Sequence, residues 1–244
     1  MRLLEGEGVS KYFGGLGALR DVSFHVDEGN IVGLIGPNGA GKTTLFNVIC
    51  CVHQPDSGTI RFRGEKISSL KPHQICRKGI ARTFQIPRSF GNMSVLHNVM
   101  VGALFGKDHR GSLKDSRKEA IRLMEITGLR EKADTPAGSL TSIDARRLEL
   151  VRALAAKPEV LLLDEVMAGL NPSEVAEAMA LIQRLRDETG LTIFMVEHIM
   201  KSVMGISDTV IVLDNGEKIY EGTPKEVSED AKVIAAYLGE TEET

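Results

Sequence analysis

The sequence predicts an α/β fold in which a mainly parallel sheet is covered by helices. Short apolar runs, of the kind found in strands buried on both faces, alternate with longer stretches whose apolar residues recur at helical spacing. The first run, Ile31 to Ile35, leads through a glycine-rich loop into a helix predicted from Lys42 to Ile49. Three further buried strands are predicted at Val160 to Leu163, Thr192 to Val196 and Thr209 to Leu213.

The remaining β-structure is predicted to be shorter or more exposed. Up to about Asn30 the chain is expected to form short strands, with a turn at Gly14-Gly15. The stretch from Ser57 to Gly64 alternates like a half-exposed strand. Asp214 to Gly216 is typical of a hairpin turn and leads into Glu217 to Tyr220.

The pattern is helical from about Ile86 to Ala155. Glu119 to Ile126 carries apolar residues at helical spacing, and a second amphipathic helix ends before Pro158. Ahead of the first helix, the polar stretch from Gly106 to Ser116 is predicted to be a loop.

The composition excludes several classes of protein. The 244 residues include 42% apolar and 26% charged residues, which is typical of a globular chain. Thirty basic and 33 acidic residues give a net charge of -3, and the basic ones are scattered, so we expect no nucleic-acid partner. No apolar run approaches the roughly 20 residues of a membrane span, so the chain is not expected to cross a membrane by itself. Its three cysteines lack metal-binding spacing and indicate buried thiols in a reducing cytoplasm.

A phosphate-binding loop is the strongest motif. The string G-P-N-G-A-G-K-T fits GxxxxGK[ST] and lies between a predicted strand and a predicted helix, as the motif requires. Lys42 would neutralise the β- and γ-phosphates, the Thr43 hydroxyl would ligate Mg²⁺, and Thr44 could donate to the α-phosphate. A glycine-rich turn that binds nothing is the alternative, whereas the dinucleotide fingerprint fails at Arg20. The predicted ATP-binding residues of the loop are Gly36, Pro37, Asn38, Gly39, Ala40, Gly41, Lys42, Thr43 and Thr44.

Two acids and a histidine follow predicted strands. In a phosphate-loop protein, Asp164 can hold the Mg²⁺ shell and Glu165 can polarise water for in-line attack. An Asp-Glu pair after a strand also suits a helix N-terminus, so this interpretation depends on Lys42. His198 could bond the γ-phosphate or the attacking water, although a lone histidine is also compatible with a solvated side chain.

The order of these motifs resembles that of the ATP-binding subunit of ABC transporters. The similarity runs from about Leu3 to Gly239, and within the superfamily it is strongest to the ATPase of the branched-chain amino acid importer. The strings that carry it are K-Y-F-G-G-L-G-A-L from Lys11, G-I-A-R-T-F-Q from Gly79, R-R-L-E-L from Arg146, A-G-L-N-P from Ala168, M-G-I-S-D from Met204 and E-G-T-P from Glu221.

The resemblance implies a P-loop NTPase (RecA-like) core with an N-terminal antiparallel β subdomain and an inserted α-helical subdomain. It implies one nucleotide-binding domain over residues 1–239, with the helical subdomain at about 86–155, and an acidic tail at 240–244. By position, Phe13 resembles the aromatic residue that stacks on adenine, and Gln85 the residue that touches Mg²⁺ and senses the membrane partner. Asp164 resembles the metal-binding aspartate, Glu165 the catalytic base and His198 the switch histidine.

The family uses ATP and Mg²⁺ and acts as a dimer, in which each ATP lies between one subunit's phosphate loop and the other's LSGGQ-like signature. The resemblance therefore implies a second, identical or different ATPase subunit, separate permease subunits in the membrane and an external solute-binding protein. The chain would lie on the cytoplasmic face of the cell membrane. The substrate is expected to be a small solute, such as a branched-chain or related amino acid.

The signature departs from the family pattern. The aligned stretch is L-T-S-I-D, so the signature residues are Thr141, Ser142, Ile143 and Asp144. Ile143 replaces a glycine that permits close approach of the backbone to phosphate, and Asp144 would bring a negative charge towards it. The same residues fit [ST]-x-x-[DE], which predicts a cap for a helix beginning near Ala145. We therefore expect the composite site that uses this segment to be impaired, while the chain's own phosphate loop stays competent.

Three other classes remain as alternatives. A DNA-repair or chromosome ATPase of this superfamily would carry a long coiled-coil insertion, for which the chain has no room. A nucleotide-binding regulator with little hydrolysis is supported only by the altered signature. An exporter ATPase is excluded only by strings that are specific to the importer branch.

Overall fold

The computed structural model describes residues 1–107 and 112–238. It divides into two compact units, one formed by Met1–Pro72 with Met167–Thr244 and the other by His73–Val166. The predicted α/β class, with an antiparallel sheet near the N-terminus, is confirmed. The limits of 86–155 for the helical subdomain stay a prediction, and the predicted tail at 240–244 lies outside the described residues.

The first unit contains two groups of strands. The antiparallel sheet has the order β2-β1-β4-β5, and four strands of the second sheet run in the order β10-β9-β3-β8. The strands are β1 (Arg2–Phe13), β2 (Leu16–Asp27), β3 (Ile31–Ile35), β4 (Ser57–Phe62), β5 (Glu65–Lys66), β8 (Thr192–Val196), β9 (Thr209–Asp214) and β10 (Glu217–Gly222). Its helices are α1 (Lys42–Ile49), α6 (Pro172–Thr189), α7 (Met200–Ile206), α8 (Pro224–Glu229) and α9 (Ala231–Leu238).

An aromatic cluster fixes α1 against both groups of strands. The ring of Phe194 on β8 lies 5.2 Å from that of Phe46 on α1 and 5.8 Å from that of Phe24 on β2. These rings are almost completely buried, and burial of a large aromatic side chain contributes about 1.5–3 kcal/mol. The cluster therefore anchors the helix that follows the phosphate loop.

The second unit contains two parallel strands, a helix that precedes the first of them and further helices that lie between the two in sequence. Strand β6 (Ile80–Arg82) pairs with β7 (Val160–Asp164). The helices are α2 (Pro72–Lys78), α3 (Val95–Phe105), α4 (Leu113–Ile126) and α5 (Ser142–Ala155). Gly102 lets α3 cross α5 closely, since a Cβ at this position would lie 2.2 Å from the carbonyl oxygen of Arg152. None of the helices that the structure describes is both long and apolar enough to span a bilayer.

Three predictions about the elements are wrong. Strands β1 and β2 have 12 residues each rather than being short. The expected loop from Gly106 to Ser116 becomes helix at Leu113, because Ser112 and Asp115 form a capping box; residues 108–111 lie outside the described part. Helix α5 begins at Ser142, three residues before the predicted start. The long helix α6 was not predicted at all.

Candidate functional site

The phosphate loop has a backbone that only glycine can adopt at two of its positions. Gly36 has φ 150° and Gly41 has φ 100°. A Cβ at Gly36 would lie 2.0 Å from the carbonyl oxygen of Leu213, and one at Gly41 would lie 2.4 Å from that of Ala18. The backbone conformation of the loop therefore depends on both glycines.

The loop holds a buried cation beside the first turn of α1. Lys42 is 7% exposed, and its Nζ donates hydrogen bonds of 2.6 Å to the carbonyl of Gly36 and 2.7 Å to that of Pro37. Thr43 is exposed, so its hydroxyl is accessible at the N-terminus of the helix. Backbone amides, helix dipole and ammonium together form an anion site that suits phosphates.

The ring of Phe13 lies at the end of β1 and is half-exposed. It meets the His53 ring edge-on at 5.2 Å, and Nζ of Lys11 lies 5.6 Å from its centroid. The Asp56 carboxylate accepts hydrogen bonds from the Tyr12 amide, at 2.6 Å, and from Lys11, at 3.0 Å. The Tyr12 amide first, and then Lys11, lower the pKa of Asp56. These contacts fix the strand end, while the ring stays half-exposed.

The two acids at the end of β7 are held by residues at the end of β6 and just beyond it. Nη2 of Arg82 donates to Oδ2 of Asp164 at 2.6 Å, and the two side chains are 5% and 1% exposed. The hydroxyl of Thr83 accepts from the backbone amide of Asp164 at 3.0 Å. Oδ1 of Asp164 is buried without a hydrogen-bond partner among the described residues.

Glu165 is held in an unusual backbone conformation. Its φ of 53° lies in the left-handed region, which is uncommon for residues other than glycine. Its Oε2 accepts a 2.7 Å hydrogen bond from Nε2 of Gln85, so the second unit brings these two predicted residues together. Strained residues of this kind cluster at active sites.

His198 and the phosphate loop follow neighbouring strands. Strands β3 and β8 are parallel, with Leu34 opposite Val196, so the segments that follow them leave the same edge of the sheet. His198 is exposed, whereas Glu197 beside it is buried and accepts from the amide of Met167 at 2.8 Å.

The signature segment caps α5 and carries a neutralised acid. The Thr141 hydroxyl accepts from the amide of Asp144 at 3.2 Å and donates to its Oδ2 at 2.7 Å, and Lys132 forms an ion pair with the same oxygen. Burial raises the pKa of Asp144, but the hydrogen bonds from Lys132 and Thr141 outweigh burial and hold it below its usual value. The predicted cap is present, although Asp144 returns to the hydroxyl of Thr141 rather than to its amide.

A second buried acid joins α5 to the segment after β6. The Glu149 carboxylate accepts from the amide of Arg88 at 3.3 Å and from that of Phe84, and Nη2 of Arg152 lies 3.8 Å away. Burial raises the pKa of Glu149 despite these partners. The residues on either side of Gln85 are therefore tied to the helix that begins at the signature segment.

Sequence reasoning gave no role to several of these residues. Arg82 and Glu149 lie inside strings that carry the resemblance, but nothing local marks their contacts. The partners that sequence reasoning missed are Lys11, His53, Asp56, Arg82, Lys132 and Glu149.

Comparisons with known proteins give a consistent result. The family profile described as ABC transporter matches residues 19–168, and the profile described as branched-chain amino acid ATP-binding cassette transporter matches residues 217–243. The chain is 41% identical to the high-affinity branched-chain amino acid transport ATP-binding protein BraF of Pseudomonas aeruginosa, over 98% of both chains. It is 35% identical to the lipopolysaccharide export system ATP-binding protein LptB of Escherichia coli, again over 98% of both. A crystal structure of a nucleotide-free ATP-binding cassette from an ABC transporter has a TM-score of 0.88 and 31% identity, covering 97% of this chain and 99% of that one.

Proposed function

Because the chain belongs to the ABC transporter family, we propose that it is the ATP-hydrolysing subunit of an importer for branched-chain or related amino acids. The chain is an ATP-binding cassette ATPase, as the sequence predicted. The observation that carries the importer assignment is the end-to-end match at 41% identity to a branched-chain amino acid transport ATP-binding protein. The exporter relative is less similar, at 35% identity.

The proposed nucleotide site begins at the phosphate loop. The adenine would stack on the half-exposed ring of Phe13, and the phosphates would take the loop amides and the ammonium of Lys42. This assignment is supported by the steric requirement for glycine at Gly36 and Gly41, which fixes the concave backbone. His198 would bond the γ-phosphate or the attacking water.

The residues present fit Mg²⁺. Oδ1 of Asp164 is a buried carboxylate oxygen without a hydrogen-bond partner in the described part of the chain, and a hard cation suits such an oxygen. Gln85 donates through Nε2, which leaves its amide oxygen as the atom to face a metal, and the Thr43 hydroxyl is exposed. We assign the ion to Thr43, Gln85 and Asp164. When bound, Mg²⁺ would neutralise charge on the β- and γ-phosphates.

Glu165 is assigned as the general base. The left-handed backbone and the hydrogen bond from Gln85 fix the direction of its carboxylate, and this carboxylate would take the proton of the attacking water. Because Gln85 donates to this carboxylate and would also ligate the proposed metal, its displacement would alter both at once.

The second subunit would be an ATPase with an intact signature. Cassettes of this family dimerise and act with permease subunits in the membrane. In this chain the charge of Asp144 is compensated by Lys132, so the remaining defect of the signature is steric and arises from the side chain of Ile143. We propose a heterodimer on the cytoplasmic face of the membrane, served by a solute-binding protein. Cooperative hydrolysis at a normal transporter rate by the chain alone, as a homodimer, would contradict an impaired signature.

Substitution of Glu165 tests the catalytic assignment. We expect Glu165→Gln to bind ATP with unchanged affinity and to lose turnover, because the amide cannot accept the proton. Glu188→Gln, at an exposed position on α6, is the matched control and should hydrolyse ATP normally. Undiminished hydrolysis by Glu165→Gln would remove Glu165 from the role of base.

The importer assignment is tested on the membrane complex. The chain is purified with its permease subunits, reconstituted in liposomes and supplied with the solute-binding protein. ATP hydrolysis should rise when leucine, isoleucine or valine is added. Stimulation by lipopolysaccharide instead, or indifference to every amino acid, would overturn the assignment while leaving the ATPase intact.

A further inference from the structure

The buried ion pair between Arg82 and Asp164 has no role in the proposed mechanism. Its N–O distance is 2.6 Å, with 5% of the Arg82 side chain and 1% of the Asp164 side chain exposed. Only Oδ2 of Asp164 accepts a hydrogen bond from Arg82, while Oδ1 has no hydrogen-bond partner among the described residues. The guanidinium also lies 5.1 Å from the ring centroid of Phe84. The pair therefore holds one carboxylate oxygen and leaves the other, which is buried, without a hydrogen-bond partner among the described residues.

A carboxylate so deeply buried needs a compensating charge to remain ionised at little cost. Mg²⁺ would supply such a charge when bound; the guanidinium is already in contact with the carboxylate without it. The two cations would share one carboxylate and repel each other across it.

We infer that Arg82 is the resident counter-cation of the metal-binding aspartate: it stabilises Asp164 before Mg²⁺ binds, orients Oδ1 towards the metal and lowers the affinity of the site for Mg²⁺. Arg82 is thus a positioning residue that acts through Asp164. It touches neither nucleotide nor water in this role. The inference rests on the proposed metal site, but the charge pairing itself does not.

A stability cycle tests the pairing without metal or nucleotide. In EDTA, Arg82→Met should lower the melting temperature by several degrees, because it leaves a buried carboxylate uncompensated. The double variant Arg82→Met/Asp164→Asn should regain most of the loss, since neither charge of this pair remains. Arg82→Lys, which keeps the charge, should lie near the wild type, and Arg117→Met at an exposed position of α4 is the control. A double variant no more stable than Arg82→Met would overturn the inference and assign Arg82 to packing on Phe84.

A binding measurement tests the effect on the metal. Affinity for mant-AMPPNP is measured in Mg²⁺ and in EDTA. The dissociation constant in EDTA divided by that in Mg²⁺ gives a ratio that is compared between variants. Removal of the competing cation in Arg82→Met should increase the ratio by about tenfold or more. If the wild-type protein binds mant-AMPPNP equally well in Mg²⁺ and in EDTA, the proposed metal site is overturned. A normal wild-type ratio that is unchanged in Arg82→Met would overturn the inference alone.

Discussion

The buried Asp144 of the signature segment should stabilise the fold. Replacing Asp144 by alanine removes a hydrogen bond from the Thr141 hydroxyl, an ion pair with Lys132 and an acid in the first turn of α5. We expect the melting temperature to fall, because the carboxylate is buried and satisfied by these partners. If Asp144 instead projected freely from the helix, its removal would change little.

The magnitude follows from exposure. The side chains of Lys132 and Asp144 are 44% and 9% exposed, so the ion pair is discounted to about 0.5–1 kcal/mol. The hydroxyl bond contributes about 0.5–1 kcal/mol, and the favourable position of the acid near the helix N-terminus about 0.3–1 kcal/mol. The sum is about 2 kcal/mol, which corresponds to a fall of roughly 4–8 °C for a chain of this size.

The assay is thermal unfolding by circular dichroism at several pH values. Lys132→Met, which removes only the ion pair with Asp144, is measured beside the Asp144 variants, and Lys114→Met at an exposed position of α4 is its control. The pKa of Asp144 is lowered in the folded state, so its stabilisation is present above the unfolded value of about 3.9 and is lost as the pH falls through the folded value. The difference in melting temperature between wild type and Asp144→Asn should therefore be constant above about pH 5 and shrink below about pH 4. A melting temperature of Asp144→Ala within 1 °C of the wild type at pH 7 would refute the reasoning, since a loss of roughly 2 kcal/mol lowers the melting temperature by several degrees.

Two further predictions concern the backbone around the nucleotide site. Gly36→Ala should abolish nucleotide binding and destabilise the fold, because the added Cβ would lie 2.0 Å from a carbonyl oxygen of β9. Gly39→Ala is the matched control, because no atom lies within 4 Å of the added Cβ. It should retain binding and lose only the roughly 1–2 kcal/mol of stability that a left-handed backbone costs alanine. Glu149→Ala should accelerate hydrogen exchange of the amides of Phe84 and Arg88 by about tenfold, as measured by mass spectrometry, whereas unchanged exchange would show that Glu149 does not tether this segment.

The sequence predicted those elements that carry a strong local signal. The bounds of β3 and α1 are the predicted ones, because a short apolar run and the loop glycines mark both ends. Helix α6 was overlooked although the sequence carries its signals: Asn171 and Glu174 form a capping box at its start, and Val175, Met179, Ile182 and Leu185 recur at helical spacing. The start of α4 was missed because a capping box is made of the same polar residues as a loop.

The contacts of the site were harder to predict than its members. Arg82 and Asp164 are 82 residues apart, and only the pairing of β6 with β7 brings them together. Lys132 compensates Asp144 from a short 3-10 turn whose position depends on how the preceding helices pack. No period or spacing in the chain encodes such contacts, so the acid in the signature looked like a repulsive charge in the sequence and is a neutralised one in the structure.

The left-handed backbone at Glu165 has a consequence for protein engineering. A non-glycine residue in this conformation gives up about 1–2 kcal/mol of stability, and glycine would recover part of it. A search for thermostable variants would therefore favour replacement of the carboxylate that is assigned as the general base. Selection for activity must hold this position against selection for stability, and libraries designed to stabilise the chain should leave it fixed.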